Sequence, residues 1–88
     1  MAVEERVLIL VKEIICEVLP DLDQAQIVPS KSLLELGANS VDRVEVVTMS
    51  MERLDLTVPL SKFANVNNIG ELVVVLCKEL SLSLSTGS

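Results

Sequence analysis

Leu36-Gly37-Ala38-Asn39-Ser40-Val41-Asp42-Arg43-Val44-Glu45-Val46-Val47 is the stretch on which the reading of this chain turns, because its character changes at Ser40. Before that serine, Gly37 permits a tight turn. After it, apolar residues recur at helical spacing, so a helix is predicted from Val41 to about Leu54. Asn39 or Ser40 can cap its first amides. Val44, Val47, Met51 and Leu54 are expected to form the inward row, with Val41 at the exposed leading edge. Asp42 and Glu45 lie in or near the first turn and Arg53 in the last, and both signs suit the helix dipole.

Upstream, Val3, Val7, Leu10, Val11, Ile14 and Val18 carry the stripe of a first helix over Val3 to Leu19. Pro20 ends it, since a residue preceding proline is pushed out of the helical region. The connection from Asp21 to Asn39 is long for a small domain, and Ile27, Val28, Leu33, Leu34 and Leu36 are expected to pin it to the core as an ordered loop. Downstream, Leu56-Thr57-Val58-Pro59 reads as extended, and Ser61 to Val66 as one short helical turn with Phe63 and Val66 facing in. Asn68-Ile69-Gly70-Glu71 has the form of a capping box. Ile69, Leu72, Val73, Leu76 and Leu80 then mark a last helix. The Val73-Val74-Val75 run favours strand by propensity. No second alternating segment exists to pair with it, and helix is the reading retained. The domain is placed at residues 1–80, and the Ser-rich residues 81–88 are expected to form a flexible tail.

Eighty-eight residues, half of them apolar, suffice for one domain with one core. Phe63 is the only aromatic residue, so the core must be filled by Leu, Val, Ile and Met, which favours closely packed helices. The net charge of -6 argues against nucleic acid, which needs a basic patch, and suits partners with basic docking surfaces. Solubility alone would also account for that acidity. Met1 to Arg6 is acidic where a signal peptide would be basic. The longest apolar runs, Val7 to Val11 and Leu72 to Cys77, are too short to span a bilayer. A cytoplasmic, monomeric protein is expected, with Cys16 and Cys77 as reduced, buried thiols.

The chain contains no histidine. That removes the commonest general base and any Ser-His or Cys-His pair, and two distant cysteines make no zinc site. The Gly37 loop lacks the lysine of a phosphate-binding loop. No catalytic residue and no metal site are assigned, and an enzyme is not expected. What remains is Ser40, placed where a loop meets a helix. Its ordinary role would be a helix cap. Its functional role would be a hydroxyl that another enzyme modifies, where a phosphate ester would meet free backbone amides.

The quoted stretch resembles the Leu-Gly-x-Asp-Ser-Leu-Asp-x-Val-Glu-Leu segment of acyl carrier proteins. Val58-Pro59, the turn at Phe63 to Val66 and Asn67-Asn68-Ile69 follow at that family's spacing, so the resemblance covers residues 3 to 80. It implies an all-α four-helix bundle of acyl carrier protein type, with a long first loop and a short third helix. It implies that Ser40, flanked by Asn39 and Val41, carries a covalent 4'-phosphopantetheine whose thiol holds acyl groups as thioesters. Val41, Asp42, Arg43, Glu45 and Met49 would face partner enzymes. Asn39 replaces the family's usual Asp, and Arg43 puts a positive charge on a helix that is usually more acidic. That wording is most similar to the free-standing donor carriers of polyketide beta-branching cassettes, which deliver acetyl units to a hydroxymethylglutaryl-synthase-like enzyme. The further partners implied are a phosphopantetheinyl transferase, an acyltransferase and a decarboxylating ketosynthase. A general fatty-acid or polyketide carrier, a peptidyl carrier, or a helical interaction domain with Ser40 as a mere cap are the alternatives.

Overall fold

The computed structural model describes residues 2–86. It contains three α-helices, α1 (Val3–Val18), α2 (Ser40–Arg53) and α3 (Ile69–Thr86), with 3-10 turns at Gln24–Gln26 and Leu60–Phe63. There is no strand among the described residues. The expected short third helix is therefore the single 3-10 turn after Pro59, closed by Lys62 N–H donating to the Pro59 carbonyl. Four residues give room for one turn and no α-helical ladder. Phe63 is buried there as expected, and Val66 packs against the core from a half-buried position.

Residues recurring every three or four positions bring one face of each helix inward. Val7, Val11, Ile14 and Ile15 from α1 meet Val46 and Met51 from α2 and Ile69, Leu72 and Leu76 from α3. The expected inward row of α2 is corrected at its leading end, where Val44 is 49% exposed and Val46 is fully buried. The buried face of α2 runs through Val46, Ser50 and Met51, and Val44 lies beside it, over a surface groove. Ser50 is a buried polar residue that sequence periodicity passes over. Its hydroxyl donates to the Val46 carbonyl at 2.7 Å, so it leaves no orphaned group inside.

The end of α2 takes a left-handed closing residue. Asp55 has φ of 55°, its N–H donates to the Glu52 carbonyl, and the Leu56 N–H reaches back to the Met51 carbonyl at 2.8 Å. This is the Schellman arrangement, and its usual apolar partners are the buried Met51 and Leu56. Glycine adopts this conformation without strain. Asp55→Gly is therefore expected to raise stability by about 0.5 kcal/mol, read as a higher urea midpoint at unchanged slope. A lower midpoint would show that Asp55 is held there by something else.

The first loop is ordered by its own hydrogen bonds. Ser32 Oγ accepts from the Glu35 N–H at 3.0 Å, and Glu35 Oε1 accepts from the Ser32 N–H at 2.9 Å. The bond from the Ser32 N–H, with a smaller contribution from the Ser32 hydroxyl, holds the Glu35 carboxyl below its ordinary value. The Ala38 N–H then returns to the Leu33 carbonyl, and the Gly37 N–H to that of Leu34. Residues 32–37 thus make one helical turn with a capping box at its start and a glycine at its end. Gly37 has φ of 96°, a conformation that side chains rarely adopt.

The same loop closes the start of α3. The Ile69 N–H donates to the Lys31 carbonyl and the Gly70 N–H to the Pro29 carbonyl, both at 2.9 Å. Asn68 Oδ1 takes the Glu71 N–H at 2.8 Å, which gives the capping predicted for this helix. Of the loop residues expected to pin it down, Ile27 and Leu36 are buried and Leu33 is half-buried. Val28 and Leu34 are exposed, because the turn at 32–37 swings Leu34 outward. At the far end, α3 runs to Thr86 and covers residues 81–86 of the stretch expected to be a flexible tail. Helix propensity explains the extension. No Gly or Pro interrupts that stretch, and serine within a helix costs only about 0.5 kcal/mol. Residues 87 and 88 lie outside the described residues.

Candidate functional site

The first turn of α2 closes on itself through Asn39 and Asp42. Asn39 Oδ1 accepts from the Asp42 N–H at 2.8 Å, and Asp42 Oδ2 accepts from the Asn39 N–H at 3.2 Å. Asn39 is the cap, and Ser40 is the first residue inside the helix. Sequence alone left either residue able to cap. The structure divides the two roles, leaving the Ser40 hydroxyl exposed and without a hydrogen bond among the described residues. The reading of Ser40 as a mere cap is thereby corrected.

Ser40 stands on the rim of a groove of about 520 Å³ between α2, the 3-10 turn at Leu60–Phe63 and the start of α3. Val44, Val47, Leu60, Phe63 and Leu72 form its apolar walls, and Ser32, Asn67 and Asn68 add polar edges. Arg43 lines it too, and no Asp or Glu does. An exposed hydroxyl opening onto a largely apolar groove fits a tethered arm with an apolar load.

The other residues implicated by sequence sit around this rim. Val41 is 71% exposed, and Arg43 and Glu45 are exposed. Asp42 is half-buried because its carboxylate is engaged in the capping box. Met49 is half-buried against the core, on a different side of α2 from the groove. Sequence reading missed Leu34 and Leu60, which are 64% and 46% exposed beside the groove. Both look like core residues in a one-dimensional pattern, and only the loop geometry turns them outward.

Cys16 and Cys77 are free and half-buried, so the expectation that both are buried is corrected. They lie at the edge of the core, where partial burial raises the Cys77 thiol above its ordinary value, with Glu4 adding to the effect. Since Glu4 is in the first turn of α1 and Cys16 twelve residues on, about 18 Å of helix separates their neighbourhoods. At the other end of α1, Glu17 pairs with Arg53 of α2 on the surface, at 2.6 Å. No helix among the described residues is long and apolar enough to cross a membrane.

The phosphopantetheine-attachment-site family matches residues 10–76 of this chain. The chain belongs to that family. It is 53% identical over 62 residues to the polyketide biosynthesis acyl-carrier-protein AcpK of Bacillus subtilis (strain 168), covering 70% of this chain and 76% of the relative. It also matches a chain in the crystal structure of the curacin biosynthetic pathway HMG synthase in complex with acetyl donor-ACP. That match has a TM-score of 0.81 and 37% identity, over 89% of this chain and 99% of the other. The acyl carrier fold expected from the sequence is thus the observed one. Family members bear 4'-phosphopantetheine and are carriers rather than enzymes, and this chain is an acyl carrier protein.

Proposed function

We propose that Ser40 is the attachment point of the phosphopantetheine arm, and that the chain delivers acetyl units to a hydroxymethylglutaryl-synthase-like enzyme of polyketide beta-branching. The observation that carries the attachment reading is the division of labour at the start of α2. Asn39 takes the capping role, and the next residue offers a free hydroxyl on the groove rim. When bound, the arm supplies a terminal thiol that holds acyl groups as thioesters. Ser40 has no base of its own in a chain without histidine, so a phosphopantetheinyl transferase must remove its proton. The donor role draws support from the two relatives, one a polyketide carrier and the other an acetyl donor bound to an HMG synthase. An acyltransferase and a decarboxylating ketosynthase are the partners such a donor needs to acquire its acetyl group, and a cytoplasmic setting suits them.

Val41, Asp42, Arg43, Glu45 and Met49 make up the docking surface in this reading. Val41 offers exposed apolar area, while Glu45 and Arg43 offer opposite charges that steer orientation. Leu34 and Leu60, exposed at the groove mouth, join them in this reading. The test has two stages. Incubation with coenzyme A and a broad-specificity transferase should add the mass of one phosphopantetheine, and an unchanged mass would end the attachment reading. Acetyl-loaded protein should then bind the synthase-like enzyme in a calorimetric titration. Arg43→Glu is expected to weaken that binding about fivefold or more, as reversal of a rim charge does. Equal affinity for the two forms would remove Arg43 from the docking surface.

A further inference from the structure

The groove beside Ser40 carries a single charged side chain, and it is positive. That residue is Arg43, in a chain whose net charge is -6. It lies three residues along α2 from Ser40, a spacing that places two side chains on one helix face with Cβ atoms about 5–6 Å apart. Among the described residues its guanidinium pairs with no carboxylate, whereas Arg53 at the other end of α2 is held by Glu17. The adjacent acid, Asp42, is turned back to the Asn39 amide. Asp42 therefore stays out of the groove and leaves Arg43 unneutralised. A guanidinium is a rigid fork of donors suited to an anion that presents two oxygens.

We propose that Arg43 pairs with the phosphodiester borne on Ser40, and so turns the root of the arm into the groove between α2 and the Leu60–Phe63 turn. The inference rests on Ser40 being the attachment point. A phosphodiester keeps one negative charge throughout the neutral range and offers two non-bridging oxygens on the phosphorus bonded to Ser40 Oγ. The other anion available to a carrier is a carboxylate on a dicarboxylic acyl unit, which would sit at the far end of the arm. Arg43 is a positioning residue in this account. It orients the arm and touches no reacting atom, and a partner that offers its own acid to Arg43 would release the arm for delivery.

The apo, phosphopantetheinyl, acetyl and malonyl forms of the wild type, Arg43→Lys and Arg43→Gln provide the test, after intact mass has confirmed loading. The Arg43 Nε–Hε resonance should move between the apo and phosphopantetheinyl forms, with no further change on acetylation or malonylation. The docked population of the arm, read from relaxation of isotope-labelled pantetheine and from the phosphorus shift, should fall about two- to fivefold in Arg43→Gln. Arg43→Lys should keep part of it, and raising salt to about 1 M, where screening acts over about 3 Å, should abolish the difference. An Arg43 signal that ignores loading, or moves only with the malonyl group, would overturn the proposal. So would equal arm mobility in fully loaded wild type and Arg43→Gln. A chain that takes up no mass fails at the earlier step, in the attachment reading itself.

Discussion

Ser40→Ala is expected to abolish the gain of a phosphopantetheine mass while leaving the thermal unfolding midpoint close to that of the wild type. The second half of this expectation follows from the geometry. The Ser40 hydroxyl accepts no bond from the helix it begins, so its removal leaves no amide unsatisfied. A surface substitution of that kind changes stability by about 0.5 kcal/mol or less. Asn39→Ala should show the reverse pattern. It deletes the acceptor that holds the Asp42 N–H and frees the Asp42 carboxylate from its role, at a cost of about 1 kcal/mol. The Asn39 variant should still be loaded, because the oxygen that is modified remains. Mass spectrometry with thermal denaturation separates the two positions. Mass gain in Ser40→Ala would remove Ser40 as the site, and a loss of about 1 kcal/mol in that variant would restore it as a cap.

Leu76→Ala should unfold much of the population well below the wild-type midpoint. Leu76 is fully buried in α3, within the cluster that also holds Ile14, Ile15 and Val46. Truncating such a side chain costs about 2–5 kcal/mol through lost transfer energy and the cavity left behind. A small domain has only about 5–15 kcal/mol in total, and each kcal/mol moves its midpoint by about 4–8 °C. A drop of more than about 10 °C by circular dichroism is the expected result. With aromatic residues almost absent, aliphatic side chains fill most of this core, and its many valines and isoleucines are stiff at χ1 and slow to close a cavity. A drop of only a degree or two would show that α3 closes over the gap.

Much of this architecture is written in local chemistry that sequence reading can follow. The stripe of α1, the stop at Pro20, the turn at Gly37 and the capping at Asn68 and Glu71 depend on residues within a few positions of each other. The features that escaped depend on packing or on distant backbone. Val44 and Val46 are the same residue type two positions apart, and either could face inward until the groove claims one of them. Ser50 in mid-helix carries no sign that it is buried. The Asp55 turn lacks the glycine that usually announces it. The turn at 32–37 was signalled by Ser32, Glu35 and Gly37, but its leucines read more simply as anchors. At the Ser-rich end α3 runs on to Thr86, because composition speaks to complexity and says little about whether a neighbouring helix continues through it.

The seam between the first loop and α3 limits how this scaffold can be re-engineered. A Cβ at position 70 would come within 3.3 Å of the Pro29 carbonyl oxygen, so the loop approaches that helix as closely as it does because residue 70 has no side chain. Loop exchange among carriers, an obvious route to new specificity, must therefore transplant residue 70 together with residues 29 to 31. A chimera that imports a side chain there requires Pro29 or Asn68 to give way by a few tenths of an ångström at the seam that leads into Ser32 and Leu33 of the groove.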